Sequence, residues 1–255
     1  MHCHTQGSGP DLVLLHGWGM HGGLWQPVMD RLTRHWRVTV ADLPGHGHSL
    51  LTPGGFDLSR LAAMALNSVP APAYWIGWSL GGLVATQAAR LQPSAIHGLC
   101  LVNSLPKFVQ ATDWPHAMPL TTLTQFAANL EQDCTLTLQR FLALQVRGSA
   151  NERETLRHIR ALIASRPPAQ PEALRLGLDV LRTTDLRADI KCLDCPAHYI
   201  LGERDTIAPA AAAPALQTLS SDVTVTTLAG AGHAPFLSHD NAFFTTLNEF
   251  LHATR

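Results

Sequence analysis

The segment Gly77-Trp78-Ser79-Leu80-Gly81 constrains the fold of this chain more than any other. It has the form G-x-S-x-G. Before it, Ala73-Tyr74-Trp75-Ile76 is a short apolar run that reads as a buried strand. After it, residues 82–90 form a small-residue helical stretch that stops before Pro93. Strand, sharp turn and helix together are the context of a nucleophile elbow. The turn lifts a serine hydroxyl above a sheet and points backbone N–H groups at the helix N-terminus. Ser79 is the expected nucleophile.

A serine nucleophile needs a base, and the base needs a group to orient it. Residues 198–201 read as a strand, and Glu203-Arg204-Asp205 lies just past its end. Residues 223–228 alternate as a half-buried strand does and lead into Ala229-Gly230-Ala231-Gly232-His233. Asp205 and His233 therefore fall in loops at the C-terminal ends of strands, where open α/β sheets carry their sites. The order is Ser79, Asp205, His233. His233 is the expected base and then acid, and Asp205 the orienting carboxylate. Glu203, two residues away, is a rival for that last role, whereas Asp185 and Asp194 precede the strand at its wrong end. An oxyanion hole should combine the N–H of Leu80 with one from the loop after an early strand. That loop is His16-Gly17-Trp18-Gly19, its donor is Trp18, and the Trp18 indole should also wall an acyl pocket. The segment from Asp42 to Ser49 reads as a structural turn, because its glycines and proline set backbone angles.

The expected core strands are 12–16, 36–41, 74–78, 98–103, 198–201 and 223–228, alternating with helices. This pattern predicts an α/β fold with a mostly parallel sheet covered on both faces. A further strand before residue 12 is left open, since residues 5–10 are polar and glycine-rich. Between residues 104 and 191 the alternation gives way to helices at 120–131, 135–146, 151–164 and 172–182. Breaks fall at Gly148-Ser149 and at Arg166-Pro167-Pro168. Asn151 with Glu154 suggests a capping box. Residues 105–190 are thus expected to form a helical cap inserted into a single domain spanning 1–255, the alternative being a separate partner-binding subdomain.

These motifs together resemble the α/β-hydrolase superfamily over nearly the whole chain. His16-Gly17-Trp18-Gly19, the tryptophan inside the elbow, Arg140-Phe141-Leu142-Ala143-Leu144-Gln145 and Gly232-His233-Ala234-Pro235-Phe236 look like the biotin-pathway carboxylesterase family. That family hydrolyses the methyl ester of pimeloyl-acyl carrier protein. The resemblance implies a serine carboxylesterase that needs no cofactor or metal. It also implies an acyl pocket walled by Phe141, Leu142, Ala143, Leu144 and Gln145 beside Trp18. A general esterase, lactonase or carbon–carbon hydrolase would use the same residues, and a ligand receptor that kept them is a third reading.

Charge fits this picture. The whole chain carries a formal net charge of −1, so no global field points to nucleic acid or membrane. The cap differs: six arginines at 140, 147, 153, 157, 160 and 166 face only Glu152 and Glu154. Arg153, Arg157 and Arg160 share one helix face. With Arg140 they form a candidate docking patch for an acidic carrier protein, the alternative being a solvated face. Leu136, one turn before Arg140, departs from the family, where a basic residue is expected. The N-terminus lacks the apolar stretch of a signal peptide. Five cysteines give no even disulfide framework, and Cys192-Leu193-Asp194-Cys195 has no second pair to make a zinc site. A cytoplasmic monomer is the expectation.

Overall fold

The computed structural model describes residues 1–51, 56–147 and 151–254. Seven strands form one sheet: β1 (Cys3–Gln6), β2 (Asp11–Leu15), β3 (Arg37–Ala41), β4 (Ala73–Trp78), β5 (Ile96–Val102), β6 (Ala197–Gly202) and β7 (Val223–Leu228). Their spatial order is β1-β3-β2-β4-β5-β6-β7. Every neighbouring pair is parallel except β1 with β3. The chain leaves β2 toward one edge and returns to build β4 on the other side of it. This reversal opens a crevice at the C-terminal ends of the central strands.

The strands sit where the sequence predicts, within two residues at each end. β1 is the addition. It is an edge strand of mostly exposed residues, so no apolar alternation marks it. Its pairing of Thr5 with Thr39 includes a 2.9 Å contact between the two hydroxyls.

Both faces of the sheet are covered. Along β2, Leu12 and Leu14 enter one core with Trp25, Trp78 and Phe243, while Val13 and Leu15 enter the other with Trp75, Leu80 and Leu83. A strand buried on both faces reads as a continuous apolar run, as Leu12 to Leu15 does. Helices α1 (Gln26–Leu32), α2 (Leu58–Leu66) and α3 (Leu80–Leu91) link the first strands. A C-terminal helix, Asp240–Ala253, buries Phe243, Phe244, Leu247 and Phe250.

Between β5 and β6 stand four longer helices, α4 (Leu120–Gln132), α5 (Cys134–Val146), α6 (Glu152–Ile163) and α7 (Pro171–Thr183), followed by a one-turn helix at Arg187–Ile190. Asp133 caps α5 by accepting from the Leu136 N–H at 2.9 Å, and Pro171 opens α7 where a missing N–H costs nothing. The predicted capping box at α6 does not form, because Asn151 makes no side-chain cap bond. The break at Gly148-Ser149 lies outside the described residues.

The insertion is fastened to the core beyond α6. Arg166 donates from one Nη to both oxygens of Asp42, at 2.8 and 2.9 Å, and Asp42 is completely buried. Nearby, the His21 ring meets the Ile163 carbonyl at 3.0 Å, and the Gln170 N–H reaches the Gly45 carbonyl at 2.8 Å. Arg166 is therefore part of this joint and not of the free arginine face.

Candidate active site

Ser79 ends β4 and precedes α3 in a conformation that few L-residues adopt, φ 55° and ψ −118°. The turn is held from several sides. The Ser79 N–H donates to the Val102 carbonyl at 3.0 Å, and its carbonyl accepts from the Ser104 hydroxyl at 2.8 Å. Gly81 must be glycine, because a Cβ there would lie 2.6 Å from the Leu15 carbonyl oxygen and 2.7 Å from that of His16. The G-x-S-x-G spacing thus follows from how tightly α3 packs on the end of β2. Ser79 itself is 4% exposed and lines a cavity.

His233 lies in the loop after β7. Its Nδ1 is 2.6 Å from Asp205 Oδ2, and both side chains are buried. A carboxylate only accepts, so the proton sits on Nδ1 and the Nε2 lone pair is open. Among the described residues nothing hydrogen-bonds to Nε2, although it is buried. Asp205 is fixed in turn by the Ile207 N–H, 2.7 Å from Oδ1. Glu203 turns elsewhere and accepts from the Gly230 N–H at 2.8 Å. The rivalry between the two carboxylates is thereby resolved in geometry: Asp205 is the one at the imidazole. The elbow and the histidine loop are also joined directly, since the Trp78 indole N–H donates to the His233 carbonyl at 2.7 Å.

The loop after β2 rests against the elbow. A Cβ on Gly17 would lie 3.1 Å from the Ser79 Cβ. Three anchors hold this loop. His16 donates from Nδ1 to the Gly17 carbonyl at 2.8 Å, the Trp18 indole donates to the Leu174 carbonyl at 2.8 Å, and the Gly19 N–H reaches His46 Nε2 at 3.3 Å. Burial pushes both imidazoles toward their neutral forms, lowering His16 and taking His46 down to about 4. Among the described residues neither the Trp18 nor the Leu80 backbone N–H has an acceptor in the chain, Leu80 being the first residue of α3.

The cavity over Ser79 measures about 80 Å³ and is almost wholly apolar. Trp18, Phe141 and Leu144 line it. Trp18 meets the edges of Phe126 and Phe141 at ring separations of 5.4 and 5.0 Å. The expectation for Leu142, Ala143 and Gln145 needs correction. Phe141 and Leu144 are three apart and share a face of α5. Ala143 is exposed on another face, and Leu142 packs toward the opposite core. Gln145 is buried beneath the histidine loop, where its carbonyl accepts from the Ala234 N–H at 3.2 Å.

Two kinds of contributor escaped sequence reasoning, a scattered set of lining residues and a clamping asparagine. Phe108, Met118, Phe126, Leu181 and Ile207 also line the cavity, but they are scattered over 100 residues with no local pattern. Asn103, at the end of β5, clamps the two site loops. Its Oδ1 accepts from the Gly202 N–H at 2.6 Å and its Nδ2 donates to the Gly232 carbonyl at 2.8 Å. It does so from a positive φ of 43°, and it is fully buried.

Arg140, Arg153, Arg157 and Arg160 are exposed, and among the described residues none has an ion-pair partner. Cys192 and Cys195 are free thiols, and no helix among the described residues is long and apolar enough to cross a membrane.

Comparison with known proteins agrees with this arrangement. A family model described as the alpha/beta hydrolase family matches residues 12–246. A protein of Methylococcus capsulatus named pimeloyl-[acyl-carrier protein] methyl ester esterase is 43% identical over 97% of this chain and 96% of its own length. One of the same name from Xanthomonas axonopodis pv. citri is 42% identical over 98% of both chains. Among solved structures, an esterase from Exiguobacterium antarcticum superposes with a TM-score of 0.88 at 20% identity, covering 98% of this chain and 94% of its own. At that identity the likeness speaks for the fold. The chain belongs to the alpha/beta hydrolase family and, within it, to the group of pimeloyl-[acyl-carrier protein] methyl ester esterases.

Proposed function

We propose that this protein is a serine carboxylesterase that hydrolyses the methyl ester of a pimeloyl group borne on acyl carrier protein. The observation that carries the reading is the His233 ring, its Nδ1 proton held by Asp205 and its Nε2 buried with an open lone pair. Such an imidazole can accept a hydroxyl proton.

In this reading Ser79 Oγ attacks the ester carbonyl carbon while its proton passes to His233 Nε2. The oxygen that gains negative charge is held by the Trp18 and Leu80 N–H groups, which no group of the described chain occupies. The intermediate collapses, the C–O bond to the methoxy group breaks, and His233 returns the proton so that methanol leaves. Water then attacks the acyl-serine, giving its proton to His233, and Ser79 is released with that proton. The apolar walls of Trp18, Phe141 and Leu144 seat the acyl methylenes and keep stray water from the ester. The helices α4 to α7 act as a cap over the cavity. The exposed Arg140, Arg153, Arg157 and Arg160, without ion-pair partners among the described residues, provide one-signed charge for an acidic carrier. A monomer in the cytoplasm completes the reading, and five free thiols are in keeping with a reducing compartment.

The test is hydrolysis of methyl pimeloyl-carrier protein by the purified chain, followed by mass shift of the carrier. Ser79→Ala should lose activity by a factor on the order of 10⁴ or more. A fluorophosphonate should label Ser79 in the unaltered protein alone. Full activity in Ser79→Ala would overturn the reading.

A further inference from the structure

The cap contains a second hollow beside the one over Ser79. It is a groove of about 580 Å³ between α4 and α7. The cavity at Ser79, about 80 Å³, falls well short of the several hundred Å³ typical of ligand sites, whereas the groove falls within that range. The two are neighbours: Leu123 of α4 and Leu178 of α7 line both. Each leucine is 6% exposed and borders both hollows, so the pair stands as a partition between them.

The chemistry of the groove selects its occupant. Ala127 and Leu130 give it an apolar floor. Its cations are already engaged, Arg175 with Glu172 at 2.7 Å and with Asp179 at 3.5 Å, and Arg182 with Asp179 at 3.0 Å. Glu131 adds a further negative charge to the lining. An uncharged alkyl chain fits such a surface; a terminal carboxylate does not.

We propose that the groove is a distal acyl subsite for uncharged alkyl tails, and that Leu123 and Leu178 set the length of acyl chain the enzyme accepts. The inference rests on Ser79 being the acylated residue. Short acyl groups stay in the inner chamber. A longer tail reaches the groove only when the two leucine side chains turn aside.

The experiment measures kcat/KM for methyl butyrate and methyl dodecanoate and reads their ratio, so that a general loss of activity in a variant cancels. Leu178→Ala and, independently, Leu123→Ala should shift the ratio toward dodecanoate by about tenfold or more, the discrimination that one or two methylenes carry in an apolar pocket. Adding Ala127→Trp, which fills the groove floor, to either variant should abolish the shift. The monomethyl ester of dodecanedioic acid should gain far less than methyl dodecanoate. An unchanged ratio in both leucine variants overturns the partition. A shift that survives Ala127→Trp overturns the groove as the place where the tail goes. If the unaltered protein hydrolyses neither ester and resists fluorophosphonate, the esterase reading itself has failed and this inference falls with it.

Discussion

Ser79 and Asn103 are the two non-glycine residues with positive φ among those described, and they directly follow the C-terminal ends of β4 and β5. Backbone strain of this kind survives only where surrounding contacts over-determine it. For Ser79 the purpose was legible, because glycines at fixed spacing announce the turn. For Asn103 no motif exists: an asparagine after a strand looks like any loop residue, and its role depends on loops 99 and 129 residues further along the chain. Asn103→Ala leaves a buried N–H and a buried carbonyl without partners, at about 1–3 kcal/mol each. The melting temperature should fall by several degrees, and kcat should fall more than KM rises, because the acid and histidine loops lose their common clamp. Calorimetry with steady-state kinetics checks both. In the acid loop, Asp205→Asn should lower turnover by roughly 10³–10⁴ while the fold persists. Glu203→Gln should do little, since Glu203 holds the Gly230 N–H and not the imidazole. Reversed severities would hand the orienting role to Glu203.

Helical periodicity located α4 to α7 within a residue or two, though not the one-turn helix Arg187–Ile190, and it located their lining side chains poorly. Period alone says which residues share a face; it does not say which face meets the cavity. Phe141 and Leu144 line it while Leu142 and Ala143 do not, a distinction that depends on the neighbours α5 packs against and not on its own period. The arginine face of α6 is clearer. Thr155 and Ile159 are buried on one side, leaving Arg153, Arg157 and Arg160 outside. Replacing Arg153 and Arg157 by Glu should raise KM for a carrier-borne ester, and added salt should mimic the effect, because exposed charges are screened within about 10 Å at 0.1 M. Hydrolysis of a small free ester should hold steady. Equal loss on both substrates would mean that the arginines support the cap itself. No loss on either would leave the patch a solvated face.

At the scale of the whole molecule, the parallel sheet was legible because its central strands are nearly continuous apolar runs and β7 alternates as a half-buried strand does. β1 was not, because an exposed edge strand carries no such mark. Stability as a whole should respond to acid through the buried imidazoles around the Trp18 loop. An unfolded chain protonates His46 near pH 6.5, while the folded chain holds it neutral down to about 4. Within that window the unfolded state binds more protons, so the stability that comes from neutral rings is complete above pH 6.5 and drains away as the pH falls. His16 acts in the same direction. Melting curves from pH 7 to pH 4 should therefore show a steady decline. His46→Gln keeps an acceptor for the Gly19 N–H but has no titrating group, so its decline should be shallower.

The joint between Asp42 and Arg166 bears on how freely such caps can be exchanged. Asp42 belongs to the core and is sealed from water; its cation arrives from the insertion, 124 residues away. A cap borrowed from another hydrolase could match every helix and still bring no cation to this place. The carboxylate would then be stranded, a defect on the order of 3–5 kcal/mol. Chimeras that keep residues 164–170 with the recipient core should fold where full swaps fail, and replacing Asp42 by Asn in the failed swaps should restore part of the loss. The core and its helical insertion are interchangeable parts only if the bolt travels with the right half.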